Sequence, residues 1–112
     1  ELGIEIAGYA SPTISGTLVS GGPIGIAAIE LASPTIRANR FSGVEVGVQV
    51  GDGATPDVLD NDFTGVASAG ALFLGSVGGS ASGNVCTADG PGIIVFGAST
   101  DVGENDCEVA GF

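Results

Sequence analysis

The chain has 112 residues, with 13 Asp or Glu, two Arg, no Lys and no His, for a formal net charge of −11. Nucleic-acid binding depends on Lys and Arg neutralising phosphates, so this balance weighs against it, and against anionic membranes and polyanionic polysaccharides for the same reason. Without His there is no Ser/His/Asp triad, imidazole base or ordinary zinc site, and no run is long and apolar enough to span a bilayer as a helix.

The first predicted element is Gly3-Ile4-Glu5-Ile6, a short strand with apolar residues at alternate positions. It returns as Gly25-Ile26-Ala27-Ala28. Pro34-Thr35-Ile36-Arg37 then reads as a second strand and Arg40-Phe41-Ser42-Gly43 as a third. The set repeats as Gly47-Val48-Gln49-Val50, Pro56-Asp57-Val58-Leu59 and Asp62-Phe63-Thr64-Gly65, and the first strand appears again as Gly92-Ile93-Ile94-Val95. The opening glycines Gly3, Gly25, Gly47, Gly70 and Gly92 are spaced 22, 22, 23 and 22 residues apart. A fixed period of this length is the mark of a solenoid, one short unit stacked on copies of itself. Gly, Ser, Pro and Asp mark the corners, and no window shows a helical period with caps.

Other columns keep step with the glycine. One is apolar: Ile14, Ile36, Val58, Ala81 and Val102. The next is Thr17, Asn39, Asn61, Asn84 and Asn105, and two residues further on come Val19, Phe41, Phe63, Cys86 and Cys107. Parallel strands usually need a helical crossover, which 22 residues cannot hold, but a coil stacked directly on the next removes that need. Left-handed solenoids run on hexapeptides and 22 is not a multiple of six, so the expected fold is all-β: a right-handed parallel β-helix of about five coils with three parallel sheets. Stacked residues lie about 4.8 Å apart, close enough for an amide-to-amide row. Asn39, Asn61, Asn84 and Asn105 are therefore read as a structural ladder. Cys86 and Cys107 fall on adjacent coils of one inward column. That spacing suits a disulfide, although parallel side-chain vectors and the habit of buried Cys to act as a small hydrophobe leave two free thiols as the alternative.

The units Ser33–Gly43 and Thr55–Gly65 resemble parallel β-helix repeats of the pectate-lyase-like superfamily, including its copper-maturation and carbohydrate-binding types. The resemblance covers essentially the whole chain. It implies the fold firmly and the activity weakly, because that superfamily holds polysaccharide lyases, glycoside hydrolases, tailspikes, adhesins and non-catalytic surface modules.

For chemistry, Arg37, Asp57, Asp60 and Asp62 are the catalytic candidates under the enzyme alternative, a fragment of a carbohydrate-active β-helix. Arg37 and Asp57 are expected as outward diagonal neighbours, and Arg40 and Asp62 share a column. The competing reading is that the two Arg simply neutralise carboxylates on an acidic surface. Glu30 and Asp52 share a corner column and are the weak calcium candidates. Asp60 and Glu104 share another, two coils apart. No other cofactor is expected. Thr residues share columns only in pairs, so the ordered array of an ice-binding face is missing. Leu72 and Ile94, followed by Leu74 and Phe96, form an expected exposed apolar patch and interface.

These readings favour a single domain over 1–112, lacking polar caps and therefore a piece or repeating unit of a longer solenoid, or one whose ends meet another copy. The expected function is a non-catalytic structural or binding module, extracellular or at the cell surface, that self-associates. A neutral glycan is a further expected partner; nucleic acid and membrane insertion are not.

Overall fold

Short apolar stretches punctuated by Gly, Pro and Ser leave the backbone no route to a helix, and the described residues contain only strands and their corners. A computed structural model describes residues 2–51, 53–74, 78–86, 92–96 and 101–111. The strands are β1 (Leu2–Ile6), β2 (Thr13–Ser15), β3 (Leu18–Ser20), β4 (Ile24–Ala28), β5 (Thr35–Arg37), β6 (Arg40–Val50), β7 (Asp57–Leu59), β8 (Asp62–Leu74), β9 (Ser80–Ser82), β10 (Val85–Cys86), β11 (Ile93–Phe96), β12 (Asp101–Val102) and β13 (Val109–Gly111). All pairings are parallel. Among the described residues they form two sheets: a large one ordered β1-β4-β6-β8-β11-β13, with β3 on β6 and β10 on β8, and a smaller one ordered β12-β9-β7-β5-β2.

Two expectations are corrected. Three sheets were expected, but the third strand and the next first strand belong to one sheet. In the middle coils they are a single strand: β6 has 11 residues and β8 has 13. The corner between them is a bend with register shifts at Arg40/Ser42, Ser42/Val44 and Val44/Val46, eased by Gly43 at φ 70°. One coil earlier the same corner holds Gly21, Gly22 and Pro23. Two positive-φ glycines and a residue without an N–H interrupt the strand there, so β3 and β4 are separate. The coil count also falls slightly, to about four turns rather than five. The outer coil that carries β12 and β13 is reduced to strands of two and three residues.

The interior is one column of small aliphatics and rings. Ile26, Ile36, Val48, Val58, Phe63, Phe73, Ala81 and Ile93 are fully buried, and Phe41 lies beside Phe63 with ring centroids 4.8 Å apart. The recurring glycine acquires its reason here. A Cβ on Gly25 would lie 2.9 Å from the Phe41 ring and 2.8 Å from the Gly47 carbonyl oxygen. One on Gly47 would lie 2.7 Å from the Phe63 ring and 2.6 Å from the Gly70 carbonyl oxygen. Real Cβ atoms do not approach that closely, so each ring occupies space that only a glycine leaves open.

Candidate functional site

The polar interior is built by the asparagine row. Asn39 donates from both its backbone N and Nδ2 to Asn61 Oδ1, at 3.0 and 3.1 Å, and from Nδ2 to the Ile14 carbonyl at 2.9 Å. Asn61 repeats this toward Asn84 Oδ1 and the Ile36 carbonyl, and Asn84 toward Asn105 Oδ1 and the Val58 carbonyl. Thr17 N donates to Asn39 Oδ1 at the start of the row. Asn39, Asn61 and Asn84 are almost fully buried, so their amides are spent on holding the coil and none is offered to a ligand. The residues before Thr17, Asn39, Asn61 and Asn84 take a left-handed conformation: Gly16, Ala38, Asp60 and Gly83 have φ of 62, 55, 54 and 70°. The sequence reading missed this column: Gly16, Asp60 and Gly83 are residue types that adopt such a backbone, but Ala38 is not and breaks the pattern.

The acid and Arg candidates are placed on two sheets. On the small sheet Thr35 pairs with Asp57 and Arg37 with Leu59, so Arg37 and Asp57 are diagonal neighbours. Asp57 Oδ1 accepts from Ser80 Oγ at 2.8 Å. On the large sheet Arg40 pairs with Asp62, and Arg40 Nε lies 3.9 Å from Asp62 Oδ2 with side chains 74% and 42% exposed. Asp62 Oδ1 also accepts from Thr64 Oγ1 at 2.6 Å and Thr64 N at 2.9 Å. The Thr64 hydroxyl and then the Thr64 N–H hold the Asp62 carboxyl below its ordinary range against the opposing effect of burial, with the charge of Arg40 the smallest contribution. Asp60 sits at the corner between the sheets, with its carboxylate over Gly83. Ser80 and Thr64, which engage the two carboxylates, fall in repeat columns, but the sequence reading did not single them out as partners of Asp57 and Asp62. A general acid for glycoside cleavage needs its proton at working pH, and Asp62 is shifted the opposite way.

Of the calcium candidates, Asp52 lies outside the described residues. Glu30 adopts φ 61°, and its Oε1 accepts from Gly8 N at 2.6 Å, which makes it a corner brace between coils. Asp60 and Glu104 are separated by Gly83, whose N donates to the Glu104 carbonyl. Among the described residues no three acidic, Cys or His groups come together to hold a metal.

The expected apolar patch forms a column, though a less exposed one than its sequence implied. Glu5, Ala27, Gln49, Leu72, Ile94 and Ala110 stack in register on the large sheet. Leu72, Ile94 and Leu74 are half-buried, and Phe96, paired with Leu74, is 57% exposed. Packing against column neighbours accounts for the difference. An open depression of about 590 Å³ lies around the bend of the large sheet, lined by Gly22, Pro23, Gly43, Val44, Glu45, Thr64, Gly65 and Val66. Its walls are backbone and small side chains with one carboxylate, which suits shape contact and supplies no acid–base pair. Cys86 and Cys107 are joined by a disulfide.

No significant match is found among curated proteins, and none among solved structures. The family model described as right handed beta helix region matches residues 1–108. With the period, the parallel stack and the ladder in agreement, the chain belongs to the right-handed β-helix family.

Proposed function

We propose that this chain is a non-catalytic module of a secreted or cell-surface β-helix, of the kind the pectate-lyase-like superfamily uses as scaffold, and that it associates with a second copy through its large sheet. One observation carries the reading: the uncharged column from Ala27 to Ala110, with Leu72, Ile94 and the adjoining Leu74 and Phe96 on a single face. A chain of net charge −11 repels its own copies over most of its surface. Two copies can meet at low cost only where carboxylates are absent, and this face supplies such a place. The disulfide supports an oxidising compartment. The enzyme alternative, with Arg37, Asp57, Asp60 and Asp62, is less favoured because Asp57 and Asp62 are engaged by Ser80 and Thr64, and Asp62 is held ionised.

Sedimentation of the wild type and of Ile94→Lys, across a hundredfold concentration range, tests the reading, with electron micrographs of both, with and without calcium. The expected result is a concentration-dependent rise in mass for the wild type that the charged variant lacks. A wild type that stays monomeric, or that cleaves a neutral glycan, would overturn it.

A further inference from the structure

One inward column meets in two pairs, and the second is chemically unlike the first. Phe41 and Phe63 stack ring on ring and are sealed from solvent. Further along the same column Cys86 and Cys107 are joined by a disulfide, and both are only half-buried. The strands beside that bond are short, although backbone hydrogen bonds from Asp101 N to Gly79 O, Gly103 N to Ala81 O, Asp106 N to Asn84 O and Cys86 N to Asp106 O join the two coils. β10 and β12 have two residues each, and Val85 meets Asp106 as an isolated bridge. Gly92 leaves the bond its room, because a Cβ there would lie 2.7 Å from Cys86 Cβ and 3.0 Å from Cys107 Cβ. Cys107 Sγ lies 3.6 Å from the Asn84 carbonyl oxygen. In the disulfide that sulfur has no proton to give, whereas a Cys107 thiol at the same place would meet a ready acceptor.

The geometry points to Cys86–Cys107 as a reversible thiol–disulfide exchange site, acted on by a dithiol reductant, that sets how firmly the coil carrying Asp101–Gly111 is held to the coil carrying Ser80–Cys86. A thiolate of the dithiol attacks one Sγ, the S–S bond breaks, and the other cysteine leaves as a thiolate that takes a proton. The second thiol of the reagent, as thiolate, then attacks the reagent sulfur of the mixed disulfide. That step closes the reagent's own disulfide and releases the second cysteine, which is protonated in turn. Two electrons and two protons pass from the dithiol to the protein. Partial exposure gives the reagent its entry. Afterwards the junction keeps the short strands, the bridge, its backbone bonds and the Asn84–Asn105 bonds, while the opened state of this coil regains the chain freedom that the cross-link had removed, so opening becomes more frequent. This site is independent of the apolar column and of self-association.

The test treats the native chain with dithiothreitol, without denaturant, counts alkylated thiols by mass, and follows amide hydrogen exchange. Two thiols should appear, and exchange across Asp101–Gly111 should quicken by about tenfold or more, while Val48, Val50 and Phe73 stay unchanged. Reoxidation should restore protection. A bond that resists the dithiol until denaturant is added overturns the proposal, as does a reduced chain that protects Asp101–Gly111 equally well. The double variant Cys86→Val/Cys107→Val keeps apolar filling without the bond. It should exchange fast with or without dithiol, and a response to dithiol in that variant also overturns the proposal. If the variant does not fold, the wild-type comparison decides.

Discussion

Asn61 is engaged from both neighbouring coils. Its Oδ1 receives two donors from Asn39, and its own N and Nδ2 reach Asn84 Oδ1 and the Ile36 carbonyl. Asn61→Ala leaves two Asn39 donors without partners in a dry interior and takes from the Ile36 carbonyl the donor it receives from Asn61 Nδ2. At about 1–3 kcal/mol for each stranded group, the loss should reach about 3 kcal/mol or more by urea denaturation. Immediately before the ladder residue Asn39, Ala38 shows the opposite case. It is exposed and holds φ 55° with an L side chain. Ala38→Gly removes that cost and gives back part of it as unfolded-state entropy, so a gain of about 0.5–1 kcal/mol is expected in the same assay. Asp62 carries a pH signature. Its folded pKa lies below the ordinary value of 3.8, so its contribution is full above that value and disappears as pH falls through the folded one. Because the group is well exposed, the effect stays below about 1 kcal/mol. Thermal midpoints of wild type and Asp62→Asn should differ at pH 6 and converge toward pH 2; a constant gap would contradict the assignment.

At the scale of the strand, the glycine and the ring form one device. Phe63 lies where Cβ atoms on Gly47 and Gly70 would be. Gly47→Ala must displace the ring or the Gly70 backbone, and Phe63→Ala should cost about 3–5 kcal/mol through the cavity it opens. Removing the ring relieves half of the Gly47 collision, so the double variant should be less destabilised than the sum of the singles by about 0.5–3 kcal/mol in a denaturation cycle. Strict additivity would mean that the carbonyl contact alone decides. The glycine period was legible from the sequence as a strand start, and the inward Phe column was legible too. Their mutual contact was not, since it joins residues of different coils through space. The ladder was readable because four Asn in step have few other uses, whereas the preceding left-handed column was broken by Ala38, a residue that does not announce that backbone. Strand lengths were misread at the Gly43 bend: a glycine marks a corner equally whether the hydrogen bonds break there, as beside Pro23, or continue through it, as in β6. The acid and Arg site was legible only as columns. Register correctly set Arg40 against Asp62. Thr64 and Ser80 also fall in repeat columns, but that their hydroxyls donate to Asp62 and Asp57 depends on side-chain geometry that no column spacing reports.

For the whole molecule, charge acts where no single contact does. Thirteen acidic residues face two Arg, and the ion pair between Arg40 and Asp62 is exposed. Most carboxylates are therefore opposed by nothing nearer than solvent counterions, and their mutual repulsion works against the compact stack. Raising ionic strength shortens the Debye length from about 30 Å at 0.01 M to about 3 Å at 1 M, which is less than the spacing of neighbouring coils. The thermal midpoint should accordingly climb with sodium chloride across that range, as the screening length shrinks from about the width of the molecule, whose principal extents are 32, 27 and 22 Å, to less than the separation of neighbouring coils. The same screening lowers the barrier between copies, so the mass of the wild type should rise with salt, while Ile94→Lys, folded equally well, should show the gain in midpoint without the gain in mass. That split separates the two consequences of one charge distribution. Intramolecular repulsion is relieved in both proteins, but only the wild type presents an uncharged column for a second copy to meet. A midpoint indifferent to salt would mean that the carboxylates are too far apart to repel, and a variant whose mass rises in parallel would place the contact on some other face.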